Sequence, residues 1–216
     1  MLTITLLNQK GGVGKTSSCF HLAGALAKGG RRVLLLDNDP QASLTQGFFG
    51  PEATRAISPA ETIAALYEPG AEPPPEQLIR PTGFDGISLI PSSIALTRFN
   101  KFHDEEWADS QDGIRSLAAV VVGDFDLALV DCPPNLHLCS WAALVGSDRI
   151  VVPLQAEDFG SQGLMPVVEA IEAVQAGPNS GLGLAGFLLT SLLLLSMLPA
   201  VDVLLADAQA TMARRN

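Results

Sequence analysis

A glycine-rich turn after a short apolar segment constrains the fold of this chain more than any other feature. Residues 2–7 are apolar or threonine, as in a buried strand, and residues 10–16 read KGGVGKT. Glycines let the backbone curl so that its N–H groups converge on an anion, and the positive end of a following helix adds to that attraction. Residues 15–28 carry a helical apolar stripe that ends at a Gly-Gly pair. The pattern therefore predicts a strand, a phosphate-binding loop and a helix.

The rest of the chain repeats the alternation of strand and helix. A strand, a crossover helix and a second strand early in the chain imply that the two strands are parallel. We predict further strands at residues 33–36, 87–90, 127–130, 149–152 and 184–189. Helices are expected at residues 92–101, 105–122, 136–145 and 162–175. The predicted fold is α/β, a single doubly wound domain of P-loop NTPase type with a mainly parallel sheet, spanning residues 1–216.

Two segments between the second and third predicted strands have their own signals. Ser58 and Glu61 flank Pro59 and fit the start of a helix with a capping box. Residues 69–81 are rich in proline, which predicts a surface loop.

The glycine-rich turn has the chemistry that binding a nucleoside triphosphate requires. Lys15 can reach the β and γ phosphates, and is a catalytic candidate, while the hydroxyl of Thr16 can bind Mg²⁺. A strict Walker A pattern has glycine where this chain has Gln9, so the motif deviates at one position. The residues predicted to bind the nucleotide are Gly11, Gly12, Val13, Gly14, Lys15, Thr16 and Ser17.

Carboxylates follow two other predicted strands. Asp37 and Asp39 come directly after residues 33–36, and Asp131 follows residues 127–130. Because ligands bind at the carboxyl ends of parallel strands, these side chains are candidates to handle magnesium or water. Asp131 is predicted to hold Mg²⁺ through water, and Asp37 is a second metal candidate. A turn or a helix cap is the alternative role for the first two carboxylates.

Five segments together resemble the ParA/MinD family of deviant Walker A P-loop ATPases, and its ParA-type partition and positioning ATPases above all. They read KGGVGKTS, LLLDNDPQASLT, LIPSSIAL, LVDCPPNL and VVPLQAEDFGSQGL, within a resemblance that covers residues 2–175. The resemblance implies that Lys10 reaches across a dimer to the partner's nucleotide and that Asp39 orients the attacking water. It also implies that Asp131 sits behind the magnesium and that residues 133–139 act as a switch that senses the γ-phosphate.

The same resemblance implies an ATPase that converts ATP to ADP and phosphate slowly and is stimulated by a partner. ATP and Mg²⁺ would be its cofactors, ATP binding would close a homodimer, and a small adaptor protein would trigger hydrolysis. The dimer would bind a surface, with non-specific DNA of the nucleoid favoured over a membrane, to partition or position a plasmid, a chromosome region or a protein compartment. Alternatives are a MinD-like membrane-associated ATPase, a biosynthetic or metal-handling ATPase of this fold, and a regulatory scaffold with little turnover.

Charge and composition limit these functions. A net charge of −10 makes the chain no obvious nucleic-acid binder, so a DNA-binding patch would have to be local. Three cysteines without a metal-type pair, and no signal peptide, predict reduced thiols in the cytoplasm. Residues 182–198 are apolar enough to raise the question of a membrane span, but a core strand and a buried helix are favoured. Residues 191–216 form an atypical C-terminal segment with few basic residues for DNA or lipid.

Overall fold

Seven strands form one sheet in the computed structural model, which describes residues 1–101, 110–155 and 164–190. The strands are β1 (Leu2–Leu6), β2 (Val33–Asp37), β3 (Arg80–Pro81), β4 (Ile87–Ile90), β5 (Leu127–Asp131), β6 (Arg149–Leu154) and β7 (Gly183–Leu189). Their order across the sheet is β3-β4-β2-β5-β1-β6-β7, and only the β3–β4 pair is antiparallel. The predicted α/β fold with a mainly parallel sheet is confirmed.

Helices connect the strands of this sheet. The α-helices of the described residues are α1 (Lys15–Lys28), α2 (Ser43–Phe49), α3 (Pro51–Ala56), α4 (Pro75–Leu78), α5 (Gly113–Val120), α6 (Leu138–Val145) and α7 (Met165–Ala176). Short 3-10 helices occupy Pro59–Glu61, Ile63–Tyr67 and Ile94–Arg98. The strand β1 lies between β5 and β6, so the turn that follows it is flanked by the ends of both.

Alternate residues of the central strands contribute to two separate apolar cores. In β5, Leu127 and Leu129 belong to one core, whereas Ala128 and Val130 belong to the other. The first core also contains Leu22 of α1, and the second contains residues of α5, α6 and α7. Successive side chains of a strand point to opposite faces of the sheet, and helices cover both faces here. Every position of β1, β2 and β5 is therefore buried, which is why their sequences are nearly continuous apolar runs. This is the doubly wound arrangement that the sequence predicts.

Helix α1 has the bounds that its apolar stripe predicts. The stripe faces the sheet and is buried at Cys19, Leu22, Ala23 and Leu26. After Lys28 the chain leaves the helix and turns at Gly30, which has a φ of 80° that a side chain would strain.

Residues 58–61 do not form the capped α-helix that was predicted. They form a single 3-10 turn, and the Ser58 side chain makes no capping hydrogen bond. Thr62 is already extended, with φ −122° and ψ 169°, so the turn stops before α-helical hydrogen bonds can form. The predicted helix at residues 92–101 is likewise limited to a 3-10 helix.

The proline-rich segment 69–81 holds more structure than a plain loop. It contains α4 and the edge strand β3, and the side-chain amide of Gln77 donates to the carbonyl of Ala60 over 2.7 Å. Helices α2 and α3 lie in a region without a predicted element. Ala42, with φ 53°, precedes α2, and Gly50, with φ 80°, separates α2 from α3.

Parts of three predictions lie outside the described residues: the starts of the helices at 105–122 and 162–175, and the whole of segment 191–216. The apolar stretch from residue 182 begins as a strand, β7, as favoured from the sequence. Among the residues that the structure describes, no helix is both long and apolar enough to cross a bilayer.

Candidate functional site

The turn after β1 presents backbone N–H groups at the start of α1. Gly12 and Gly14 have φ values of 76° and 83°, a left-handed conformation that favours glycine. Gly14 is the N-cap residue and no side chain caps the helix, so the first-turn N–H groups are available to a ligand. Ser17 is exposed and Thr16 is half-buried beside them. This arrangement suits an anion such as a phosphate.

Hydrogen bonds from the neighbouring strand β6 hold the glycine-rich turn in place. The side-chain amide of Asn8 donates to the carbonyl of Pro153 over 2.8 Å and accepts from the backbone N–H of Lys10 over 2.9 Å. The side chain of Gln155, directly after β6, donates to the carbonyl of Gly12 over 3.2 Å. The turn is therefore preorganised by the rigid sheet.

Thr190, directly after β7, holds the same turn from another side. Its hydroxyl lies 2.8 Å from the carbonyl of Val13 and 3.1 Å from that of Leu154. A Cβ atom added to Gly14 would lie 3.3 Å from the Thr190 side chain, so close approach as well as positive φ requires glycine there.

Lys15 is held inside the turn. Its ammonium donates to the carbonyls of Asn8 and Lys10, at 3.0 Å each, and the residue is only 7% exposed. Burial lowers the pKa of this ammonium, and the negative charge of Asp131 opposes that effect most strongly. A buried lysine whose hydrogen bonds within the described residues all go to carbonyls is a cation ready to take an anionic partner.

Lys10 lies at the exposed tip of the turn. Its ammonium is 3.5 Å from the side-chain oxygen of Gln155, and the residue is exposed. Lys10 and Lys15 thus belong to one loop but differ in surroundings. The exposed Lys10 is placed to contact a second molecule, whereas the buried Lys15 donates to carbonyls of the loop.

Asp131 ends the central strand β5 and is 1% exposed. Neither of its carboxylate oxygens has a hydrogen-bond partner in the described part of the chain, although the nearby Thr16 hydroxyl favours its charged form. Burial raises the pKa of this carboxyl to about 8, and the neighbouring charge of Asp37 adds to the rise. A buried carboxylate without partners is costly, so its position next to the turn indicates a site for a cation.

Asp37 is paired in register with Asp131 at the end of β2 but has a different environment. One of its oxygens accepts from the backbone N–H of Thr45 over 2.7 Å and from the Thr45 hydroxyl over 2.6 Å. The other accepts from the N–H of Asp39 over 3.3 Å. Burial raises the pKa of Asp37 to about 6, while the Thr45 bonds lower it. One oxygen therefore anchors the first turn of α2 and the other anchors the loop before it, as the alternative turn or cap role predicts.

Asp39 lies half-buried at the edge of the same site. Its carboxylate accepts from the backbone N–H of Gln41 over 2.9 Å, and its carbonyl accepts from the hydroxyl of Ser92 over 2.7 Å. Ser92 in turn donates its N–H to the Thr45 hydroxyl over 2.9 Å. The backbone of Asp39 is thus fixed while its carboxylate keeps capacity to accept a proton or a hydrogen bond.

Replacing Asp131 with asparagine should make the stability of the ligand-free protein less dependent on pH. Folding raises the pKa of this carboxyl from about 4 to about 8, so the folded state binds more protons between these values. Its contribution to stability is therefore full below pH 4 and is lost as pH rises towards 8. In thermal melts from pH 5 to pH 8, the melting temperature of the variant should rise relative to that of the wild type with each increase in pH. A difference in melting temperature that stays constant across that range would contradict the raised pKa of Asp131.

Four residues of the site were not predicted from the sequence: Thr45, Ser92, Gln155 and Thr190. Gln155 and Thr190 directly follow β6 and β7. The rule that ligands bind at the carboxyl ends of parallel strands could have found them. The other two have no local signal, because they act through contacts with residues distant in sequence.

Comparison with known proteins places this site in a family. A family profile described as an AAA domain matches residues 1–184. The chromosome partitioning protein ParA of Myxococcus xanthus is 34% identical over 191 residues, which cover 87% of this chain and 64% of that protein. The chromosome-partitioning ATPase Soj of Thermus thermophilus is 37% identical over 187 residues, which cover 87% of this chain and 68% of that protein.

A solved structure is similar over almost the whole chain. It is the cobyrinic acid a,c-diamide synthase from Mycobacterium smegmatis with bound ADP and magnesium, with a TM-score of 0.76 and 31% identity, covering 97% of this chain and 82% of that one. The chain spans 64% of the length of the Myxococcus relative. From the profile match, the sequence identities and the geometry of the glycine-rich turn, the chain belongs to the ParA/Soj family of P-loop ATPases.

Proposed function

We propose that this chain is a slow, partner-stimulated ATPase that dimerises on ATP, binds a surface in the cytoplasm and positions or partitions a cargo. The buried, unpaired carboxylate of Asp131 beside Lys15 and Thr16 carries the proposal. The glycine-rich turn with Lys15 is a preorganised anion site, and Asp131 with Thr16 is a cation site next to it. A magnesium nucleotide requires both. The similar structure with bound ADP and magnesium supports this choice of ligand.

The described residues suit Mg²⁺ only together with a phosphate ligand. Among them, no group of three or more His, Cys, Asp or Glu side chains could hold a metal ion. Mg²⁺ is commonly bound through one or two protein groups plus substrate phosphates. Thr16 would provide its hydroxyl and Asp131 would act through water, whereas the oxygens of Asp37 already bond Thr45 and the backbone of Asp39. The bound metal would neutralise charge on the phosphates.

Different residues of the chain would bind the phosphates, orient the attacking water and sense the γ-phosphate. The backbone of residues 11–17 binds the phosphates, and Lys15 exchanges its two carbonyl contacts for phosphate oxygens. Asp39 orients water for attack on the γ-phosphate, held in place through Ser92. Residues 133–139 follow β5 directly and sense the γ-phosphate.

Replacing Lys10 with alanine should weaken ATP-dependent dimerisation at least about tenfold, since truncating a charged contact across an interface commonly costs over 1.4 kcal/mol. Lys10 is exposed, so the thermal stability of the monomer should change little. Light scattering with ATP over a protein concentration series measures the effect. Lys28→Ala, an exposed lysine at the far end of α1, is the matched control. A Lys10→Ala dimer as tight as the wild type would contradict the cross-dimer role.

Non-specific DNA of the nucleoid is the proposed surface. The net charge of −10 requires a local basic patch, so binding should be weak without dimerisation. Duplex DNA binding should be measured with ATP, with ADP and without nucleotide over a salt series. Binding with ATP alone that weakens steeply with salt supports the proposal. No binding in any state contradicts DNA as the surface, and binding to anionic vesicles instead would make a membrane the matrix.

A second candidate is an ATP-dependent biosynthetic enzyme, favoured by the similarity to the cobyrinic acid a,c-diamide synthase. A metal-handling version has less support, because the cysteines Cys19, Cys132 and Cys139 are all buried. ATP turnover by the pure protein separates the classes. A partition ATPase hydrolyses ATP slowly without any small substrate and faster with its adaptor, whereas a biosynthetic enzyme requires the acceptor of its reaction.

A further inference from the structure

A buried amide lies between the two carboxylates that follow β2. Asn38 is 0% exposed, although it sits in a sequence of three polar residues at the rim of the site. Burying an amide is costly unless its donors and acceptor find partners. The partners of Asn38 therefore indicate what it does.

Three hydrogen bonds of Asn38 join the end of β2 to the end of β5, to the start of α6 and to Tyr67. Its backbone N–H donates to the carbonyl of Asp131 over 2.9 Å. Its side-chain N–H donates to the carbonyl of Cys139, in the first turn of α6, over 2.8 Å. Its side-chain oxygen accepts from the hydroxyl of Tyr67 over 2.7 Å.

Tyr67 supplies the donor for the side-chain oxygen of this amide. It is 1% exposed, its ring stacks on Phe99 at 5.8 Å between centroids, and its hydroxyl also lies 3.5 Å from the carbonyl of Cys139. Because the carbonyl of Cys139 can only accept, the amide nitrogen must face α6, and the Tyr67 hydroxyl then donates to the side-chain oxygen. Asn38 is thus a rigid bridge between the start of α6 and the backbone of Asp39.

We propose that Asn38 is a positioning residue that couples the 133–139 segment to Asp39 during ATP hydrolysis. The inference rests on the proposed function, in which that segment senses the γ-phosphate and Asp39 orients water. A shift of α6 at Cys139 moves the Asn38 side chain, and Asp39 is the next residue along the chain. Asn38 acts through Asp39 and does not contact the substrate. Its loss should therefore lower the rate of turnover and leave nucleotide affinity unchanged.

The test compares Asn38→Leu, Tyr67→Phe and the double variant. Leucine removes both side-chain hydrogen bonds at similar volume and leaves the Tyr67 hydroxyl without its main acceptor. The double variant removes both polar partners, which restores part of the lost stability. We expect kcat for ATP to fall about 10- to 100-fold in Asn38→Leu, since a small misplacement of a catalytic group costs that much, while KM stays within about twofold. The double variant should keep the low kcat although its melting temperature recovers.

Thr5→Val is the matched control. Thr5 is also 0% exposed, and its hydroxyl donates to the carbonyl of Ala143 in the same helix α6 over 3.2 Å and lies 2.7 Å from the Ser147 hydroxyl, but neither contact leads to Asp39. We expect this variant to lose stability and to keep its kcat. An Asn38→Leu protein that is folded and turns over like the wild type overturns the coupling role alone. A double variant whose kcat recovers together with its stability also overturns it. A wild-type protein that binds no ATP overturns the proposed function itself.

Discussion

The Lys15→Ala protein will bind ATP at least about 30-fold more weakly than the wild type, because truncating one partner of a buried charge pair costs about 2–5 kcal/mol or more. Lys15 is the buried cation of the glycine-rich turn and donates only to carbonyls in the described structure. Phosphate oxygens are stronger acceptors than carbonyls, since both partners are then charged. Calorimetric titration with magnesium and ATP measures the loss.

A change in folding must be separated from a change in affinity. Thermal melts without ligand should show Lys15→Ala folded, and Lys28→Ala should bind ATP like the wild type. Lys28 lies on the same helix but at its exposed end, in the last turn. Unchanged ATP affinity in a folded Lys15→Ala protein would rule out the turn as the phosphate site.

The Asp39→Ala protein will bind ATP with nearly normal affinity and hydrolyse it at least about 100-fold more slowly, the usual range for losing a group that acts on the attacking water. The Asp39 carboxylate lies at the rim, while its backbone is held by Ser92. ATP should therefore hold this variant as a long-lived dimer. Single-turnover hydrolysis and light scattering measure the two effects separately.

The side chain of Asp39 also accepts from the N–H of Gln41, so alanine alters the loop as well. Asp39→Asn keeps that acceptor and should still lose hydrolysis, because an amide cannot take up a proton. Asp85→Ala, an exposed carboxylate before β4, is the control expected to leave turnover unchanged. A monomer in the presence of ATP, or normal turnover in Asp39→Asn, would contradict the role in water attack.

Features that depend on neighbouring residues in the chain could be predicted from the sequence. Helix α1 has its predicted bounds because its apolar spacing and its terminal glycines are local signals. Strand β4 also matches, as a short apolar run between turns. The glycine-rich turn was predictable for the same reason, since its glycines set its conformation.

Features that depend on distant contacts could not be predicted in this way. Helix α2 lacks a usual N-cap residue, because Ala42 stands there with φ 53°, and its start is held by the bond from Thr45 to Asp37. The role of Asp37 as an anchor can be recognised only when the position of α2 is known, because Thr45 lies in that helix. Ser58 carried a capping signal, but the extended Thr62 ended the turn. Local propensity was overridden by tertiary structure in each case.

The unpaired carboxylate of Asp131 links the lifetime of this protein in a cell to its supply of nucleotide. A ligand that binds only the folded state stabilises it by about 2.7 kcal/mol at a hundredfold excess over its Kd. Proteases remove unfolded molecules, so copies that have lost their ligand are degraded first. Since neither oxygen of this buried carboxylate has a close hydrogen-bond partner among the described residues, the empty protein is the more vulnerable form at neutral pH. Starvation for ATP would then lower the abundance of this chain as well as its activity.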